Sequence, residues 1–292
     1  MNAIAAALLT VLLLAAGPAH SRKFELEAGG RERDYRLYVP PGAGQEPMPL
    51  VVVLHGALGS GEQAEDSYGW NAVADARGLI VAYPDGVRRT WNAGGGCCGR
   101  AARDSAADVA FLDRLIGTLV DQGRADPARV YLAGISNGGA MAYRYACEGG
   151  RPVAAIGSVA GAMTFACPSP RPVSVMEIHG LQDRTIPIAG GEGRRKAART
   201  VWPAADTTLA RFRAANDCGE AGRSARGPVE RTRWSCAEGR AVELITIAGA
   251  GHQWPGSDPH RGLGARLLDL DPPSNALDAT AVLADFFAEN TP

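Results

Sequence analysis

Residues 129–142 run Arg129-Val130-Tyr131-Leu132-Ala133-Gly134-Ile135-Ser136-Asn137-Gly138-Gly139-Ala140-Met141-Ala142. Residues 129–133 are a short apolar run rich in β-forming side chains, and residues 138–147 carry a small-residue helical pattern. Between them, residues 134–138 spell Gly-x-Ser-x-Gly. The stretch predicts a strand that turns sharply into a helix with a serine at the corner. The flanking glycines suit such a corner, because a Cβ there would clash with the neighbouring strand and helix. The turn lifts the Ser136 hydroxyl above the end of the sheet, and the helix N-terminus favours negative charge developing beside it. The pentapeptide alone is a weak signal; the strand before it and the helix after it carry the reading.

Outward from this corner, strand and helix patterns alternate. Residues 50–54 (LVVVL) form a continuous apolar run, as expected of a central strand buried on both faces. Residues 79–83 form a second such strand, with a predicted helix at residues 64–76 between them. Residues 108–120 place Val109, Leu112, Leu115, Ile116 and Leu119 on one helical stripe. Strands follow at residues 153–159, 173–178 and 242–247, and residues 276–287 close the chain as an amphipathic helix. Residues 35–39 alternate and predict an antiparallel edge strand. The pattern is that of an α/β fold: a mostly parallel central sheet with helices on both faces.

A serine hydroxyl is a weak nucleophile until a base takes its proton, and that base needs an acid to orient it. In a fold of this kind the chain order is serine, then acid, then histidine. His252, in Gly251-His252-Gln253-Trp254, sits on a loop directly after the strand at residues 242–247. Asp183, in His179-Gly180-Leu181-Gln182-Asp183, sits on a loop just past the strand at residues 173–178. The competitors are weaker. His260 follows His252 in a polar loop. Asp206 and Asp217 fall in a predicted helix and at its end, where charges are ordinarily solvated or cap the helix. His55 and His179 each end a strand in a His-Gly step and read as structural imidazoles bonded to backbone. Oxyanion donors are expected from two backbone N–H groups, that of Asn137 after the serine and that of Ala57 in the loop after the strand at residues 50–54.

The 292 residues carry a net charge of −1. The chain has no basic stripe of the kind that nucleic acid would require. Arg194, Arg195, Lys196 and Arg199 read as a solvated loop. Residues 1–20 are a different material: residues 3–16 are almost wholly apolar, followed by Gly17, Pro18 and Ala19. This reads as a signal peptide cut near residues 19–21, so the protein is expected to be secreted or periplasmic. A membrane span needs about 20 apolar residues and this run is shorter, so no stable membrane anchor is expected. Residues 21–292 read as one catalytic domain, able to bury a core without a partner, and a monomer is expected. All six cysteines lie beyond the leader, and an even count in an exported protein points to disulfides. Locality pairs Cys147 with Cys167 and Cys218 with Cys236. That leaves the adjacent Cys97 and Cys98, as a vicinal disulfide or as two thiols. No CxxC pair exists and the five histidines are scattered, so no metal or other cofactor is expected.

The segments PLVVVLHG, WNAGGGCCG, the DVAFL helix, GISNGGAMAYRYAC, IHGLQDRTIPIAGG and GAGHQWPG together resemble one family, the extracellular polyhydroxybutyrate depolymerases and feruloyl esterases (the LpqC-like esterases) of the α/β-hydrolase fold. The likeness runs from about Arg31 to Phe287. It implies Ser136, Asp183 and His252 as a catalytic triad and a serine carboxylic-ester hydrolase working through an acyl-enzyme. The substrates it implies are feruloyl- or acetyl-type esters, or short hydroxyalkanoate oligomers. It also implies that Trp91, Asn92 and the Cys97–Cys98 loop lie near the acyl site and that Trp254 borders the pocket. The sequence departs from the pattern at Ile188, where an aromatic residue often follows the proline of the post-acid loop, and at residues 258–273, which are longer and more polar. With no substrate-binding module after the catalytic domain, a soluble ester or oligomer is favoured over a solid polymer. A serine peptidase of this fold would be expected to show a gating domain or an anionic pocket. A non-catalytic carbohydrate- or surface-binding protein would have no need of all three triad residues.

Overall fold

The strand at Met48–Leu54 explains itself by burial on both sides. Leu50, Val52 and Leu54 pack into one apolar cluster and Val51 and Val53 into a second, all at 0% exposure. A strand covered on both faces has no polar side to show, so its apolar residues run without alternation. The computed structural model describes residues 21–193, 200–257, 271 and 273–291. The signal peptide expected at residues 1–20, the basic run at Arg194, Arg195, Lys196 and Arg199, His260 and nearly all of the polar segment at residues 258–273 lie outside the described residues.

In chain order the strands are β1 Arg22–Ala28, β2 Arg31–Tyr38, β3 Met48–Leu54, β4 Ile80–Pro84, β5 Ala125–Ile135, β6 Ala155–Val159, β7 Ser174–Gly180, β8 Gly191–Glu192, β9 Val201–Trp202, β10 Cys218–Arg226, β11 Val229–Cys236 and β12 Ala241–Ile247. The helices are α1 Gly61–Tyr68, α2 Trp70–Arg77, α3 Gly99–Arg103, α4 Asp108–Asp121, α5 Asn137–Glu148, α6 Ala205–Ala215 and α7 Ala279–Glu289. Ten strands form one sheet in the order β1-β2-β4-β3-β5-β6-β7-β12-β11-β10. From β4 to β12 the neighbours are parallel; β1 and β2 at one edge and β11 and β10 at the other are antiparallel. Buried side chains of α4, α5 and α6, among them Phe111, Met141 and Phe212, cover one face. Those of α1, α2 and α7, among them Tyr68, Trp70 and Phe286, cover the other. This is the α/β architecture expected from the alternating pattern.

Three expectations change. The strand foreseen at residues 35–39 is β2, but it is not the edge: β1 pairs outside it, from Arg22↔Leu37 to Ala28↔Arg31. The single helix foreseen at residues 64–76 is two, because Gly69 takes φ 77° and ends α1 before α2 begins. The hairpin of β10 and β11 lies outside the expected elements, since β10 is almost wholly exposed and β11 carries mostly charged and polar side chains. Its base is closed by the Cys218–Cys236 disulfide, between cross-strand partners.

Candidate active site

Ser136 sits between β5 and α5 with φ 56° and ψ −119°, a left-handed conformation forced by the tight corner. Close approach explains the glycine two residues on. A Cβ on Gly138 would collide with the backbone oxygens of Leu54 and His55 at the end of β3. The Ser136 N–H donates to Val159 O on β6 at 2.8 Å, which ties the corner to the next strand.

The loops after β7 and β12 are stitched to each other. Leu181 N donates to Ile247 O at 3.0 Å and Gln182 N to Ala250 O at 2.8 Å. A side chain on Gly180 would strike the Ala250 carbonyl, so this approach needs glycine. The stitching brings three side chains into a row. His252 Nε2 lies 2.8 Å from Ser136 Oγ, and His252 Nδ1 lies 2.6 Å from Asp183 Oδ2. The Asp183 Oδ1 accepts the backbone N–H groups of Thr185 and Ile186, each at 2.8 Å. Burial works against charge on Asp183, but hydrogen bonds from His179 and His252, together with the charge on His179, outweigh it and hold the carboxyl well below the usual carboxylate range. Since ionised Asp183 can only accept, His252 carries its proton on Nδ1 and presents a bare Nε2 to the serine. The His252 N–H itself donates to Asp271 Oδ2 at 2.8 Å, a support that sequence reasoning did not pick out.

Among the described residues, the N–H groups of Asn137 and Ala57 have no hydrogen-bond partner. The Asn137 N–H opens α5, where the first turn leaves its donors free. The Asn137 side chain is 2% exposed and grips Trp91: its Oδ1 accepts from Trp91 N at 2.6 Å and its Nδ2 donates to Trp91 O at 2.9 Å. The Trp91 indole N–H donates to His55 O at 2.9 Å, so one residue is fastened to both loops that offer N–H groups. Asn92 is held by Asp108, whose Oδ2 accepts its N–H at 2.7 Å. Asp108 is fully buried and paired with Arg33 at 2.7 Å. Cys97 and Cys98 are bridged; the Cys98 N–H donates to Trp91 O, and Asn137 Nδ2 lies 3.9 Å from Cys97 Sγ. All six cysteines are paired, the others as Cys147–Cys167 and Cys218–Cys236.

The two tryptophans expected near the acyl site are both buried. Trp91 is 0% exposed and reaches the serine corner through its backbone and indole N–H. Trp254 is 1% exposed, stacks on Tyr68 of α1 and donates to Thr280 Oγ1 of α7, because its loop runs under those two helices. Neither presents its ring to an open pocket.

His55 is the structural imidazole it was read as, accepting from Gly86 N at 3.0 Å, with burial pressing it toward neutrality. His179 is not simply bonded to backbone. Its Nδ1 faces Glu177 Oε1 at 2.8 Å, and its Nε2 faces both Ile186 O at 2.8 Å and Asp183 Oδ2 at 3.4 Å. A signal for this was present: residues i and i+2 share a strand face, and Glu177 and His179 are the charged pair in an otherwise apolar run. Asp206 and Asp217 stand apart from the row; Asp206 pairs with Arg213 at 2.7 Å.

Among the described residues, no cluster of three or more His, Cys, Asp or Glu side chains is placed to hold a metal ion. No helix among them is long and apolar enough to cross a membrane.

Comparison with known proteins gives a consistent picture. Residues 33–193 match the family described as esterase PHB depolymerase. NocK of Nocardia uniformis subsp. tsuyamanensis, which bears an esterase name, is 35% identical over 284 residues, covering 87% of this chain and 80% of NocK. Feruloyl esterase B of Piromyces equi is 28% identical over 72% of this chain; the match spans only 40% of that longer protein. Among solved structures, acetyl xylan esterase from Aspergillus awamori superposes with a TM-score of 0.57 at 14% identity, covering 85% of this chain and 98% of that one. The LpqC poly(3-hydroxybutyrate) depolymerase from Bordetella parapertussis superposes with a TM-score of 0.52 at 18% identity, covering 80% and 85%. At such identities these two share the α/β-hydrolase fold.

Proposed function

Because the chain belongs to the esterase PHB depolymerase family, we propose that it hydrolyses carboxylic esters through an acyl-enzyme on Ser136. The observation that carries the reading is the unbroken row Ser136 Oγ, His252, Asp183, at 2.8 Å and 2.6 Å, with the serine at a strained strand-to-helix corner. His252 Nε2 takes the hydroxyl proton as Oγ attacks the ester carbonyl. The N–H groups of Asn137 and Ala57 receive the oxyanion. The imidazolium, steadied by Asp183, then protonates the departing alcohol oxygen. Water repeats the sequence on the acyl-enzyme and releases the acid.

The substrates proposed are feruloyl- or acetyl-type esters and short hydroxyalkanoate oligomers, in keeping with the feruloyl esterase relative. Export through a cleaved leader is part of the same proposal. It is supported by the pairing of all six cysteines, which suits an oxidising compartment. N-terminal sequencing of exported protein should begin near residues 19–21.

The test is hydrolysis of p-nitrophenyl acetate with wild type and Ser136→Ala. Loss of the nucleophile is expected to lower the rate by roughly a millionfold; retention of a tenth of the activity overturns the assignment. His252→Ala is expected to be inactive and His260→Ala active. A panel of methyl ferulate, acetylated xylan and hydroxybutyrate oligomers then ranks the acyl groups.

A further inference from the structure

Behind the acid of the triad lies a buried carboxylate–imidazole pair. Glu177 and His179, on β7, are 0% and 1% exposed. They sit on the same face of the strand, with α5 above them and the post-acid loop at their end. The partners of His179 fix its protonation by geometry. One ring nitrogen faces a carboxylate and the other faces a carbonyl and a second carboxylate. Carbonyls and ionised carboxylates only accept, so both nitrogens must donate. Glu177 is in turn held as an acceptor. Its Oε2 accepts a hydrogen bond from the Tyr143 hydroxyl at 2.9 Å, and its Oε1 accepts from the Gly161 N–H at 3.1 Å as well as from His179.

We propose that His179 is a positioning residue for the triad: a buried imidazolium lodged between Glu177 and Asp183 that, together with Glu177, sets the net charge His252 meets on its acid side. The inference rests on the reading of Ser136, His252 and Asp183 as a triad. The charge count gives the mechanism. Glu177, His179 and Asp183 sum to a single negative charge, enough to balance the one positive charge His252 gains as the serine attacks. Without Glu177 the sum is zero, and the new imidazolium has no net counter-charge. Without the charge on His179 the sum is minus two, and His252 holds its proton more tightly, so it becomes available as a base only at higher pH. The charged and titratable groups that face His179 are Glu177 on its own strand and Asp183 on the following loop. Tyr143 of α5 reaches it through Glu177, and His252 through Asp183. Burial opposes the charge on His179, yet the hydrogen bonds and charges of Asp183 and Glu177 outweigh that opposition and raise it to about 10.

The experiment is the pH profile of kcat/KM for p-nitrophenyl acetate in wild type, His179→Gln and Glu177→Gln, each variant also labelled with a fluorophosphonate. The acidic limb of that profile reports protonation of the free enzyme's base. His179→Gln is expected to move it to higher pH by about one unit, and Glu177→Gln to move it to lower pH by a smaller amount, the charge removed being more distant. A purely structural role moves neither limb in a charge-dependent direction. Shifts of the same sign, or no shift in folded variants, overturn the proposal. Failure of the triad reading is separable: wild type would then carry no label on Ser136, whatever the profiles do. Should a variant not fold, imidazole-nitrogen NMR of the wild-type protein decides. One histidine doubly protonated at about pH 8, well above the ordinary value of about 6.5, supports the proposal, and its absence overturns it.

Discussion

The side chain of Asn137 and the main chain of Trp91 are locked by two opposed hydrogen bonds, Trp91 N to Oδ1 at 2.6 Å and Nδ2 to Trp91 O at 2.9 Å. The residue whose N–H is proposed to receive the oxyanion is therefore anchored by its own amide to a loop 46 residues away. Asn137→Ala keeps the backbone donor and removes the anchor. It leaves the buried Trp91 N–H without a partner, which costs about 2 kcal/mol. The expected result is a lower urea midpoint together with a fall in kcat, while Ser136 still reacts with a fluorophosphonate. Unchanged kcat in a destabilised protein would confine Asn137 to a packing role.

Asp183→Asn should fold and turn over slowly, by about ten-thousandfold, because an amide neither steadies the imidazolium nor fixes the tautomer. Asp206→Asn loses only an exposed ion pair with Arg213 and should retain wild-type kcat. A crippled Asp206→Asn enzyme beside an active Asp183→Asn enzyme would move the acid elsewhere.

These residues differ in how legible they were. The central strands show themselves because burial on both faces leaves continuous apolar runs, as at Leu50 to Leu54. The edge strand β1 and the hairpin of β10 and β11 do not, because exposed polar side chains at a sheet margin look like loop. Ser136, Asp183 and His252 follow from chain order along the fold. Chain order names only three residues, so the Glu177–His179 pair escapes it, although the period of a strand places both on one face. The partnership of Asn137 with Trp91 has no local signature at all: it depends on how two distant loops meet. Trp254 shows the converse error, a conspicuous aromatic beside the base that packs into the core.

The raised proton affinity of His179 makes a stability prediction with a definite sign. In the folded chain the group titrates at about 10, against 6.5 for an ordinary histidine. Its protonation therefore stabilises the fold fully below about pH 6.5, and that contribution is lost as pH rises toward 10. The Tm penalty of His179→Gln should accordingly be largest near pH 6 and shrink toward pH 10. Differential scanning calorimetry across that range checks it, and a penalty independent of pH would contradict a charged His179.

Arg33→Met tests the anchor of the Trp91 loop from the opposite side. Asp108 is fully buried, accepts from Arg33 at 2.7 Å and holds the Asn92 N–H, while the guanidinium lies 4.0 Å over the Phe111 ring. Removing the cation leaves a carboxylate in the core with no counter-charge, a change that ordinarily costs about 3–5 kcal/mol. Chemical denaturation should show a loss of that order. A change below about 1 kcal/mol, the scale of an exposed pair, would mean that Asp108 is neutral or solvated.

The Cys97–Cys98 bridge should matter to rate more than to stability. In the chain-entropy view a disulfide stabilises according to the loop it closes. Cys147–Cys167 and Cys218–Cys236 join residues 20 and 18 apart, worth about 3 kcal/mol each on that view. Adjacent cysteines close no loop, so their bridge should contribute almost nothing to Tm. Its position argues for another role. The Cys98 N–H and the Asn137 amide both donate to the Trp91 carbonyl, and Asn137 Nδ2 also approaches Cys97 Sγ. Freeing the two sulfurs is therefore expected to loosen the loop that holds Trp91, and through it the Asn137 N–H at the serine corner. Cys97→Ser with Cys98→Ser is expected to leave Tm nearly unchanged while altering kcat or KM for p-nitrophenyl acetate. Cys218→Ser with Cys236→Ser, which opens the base of a hairpin remote from Ser136, should do the reverse. A large fall in Tm with unchanged kinetics in the first double variant would show that the vicinal pair serves the fold and not the site.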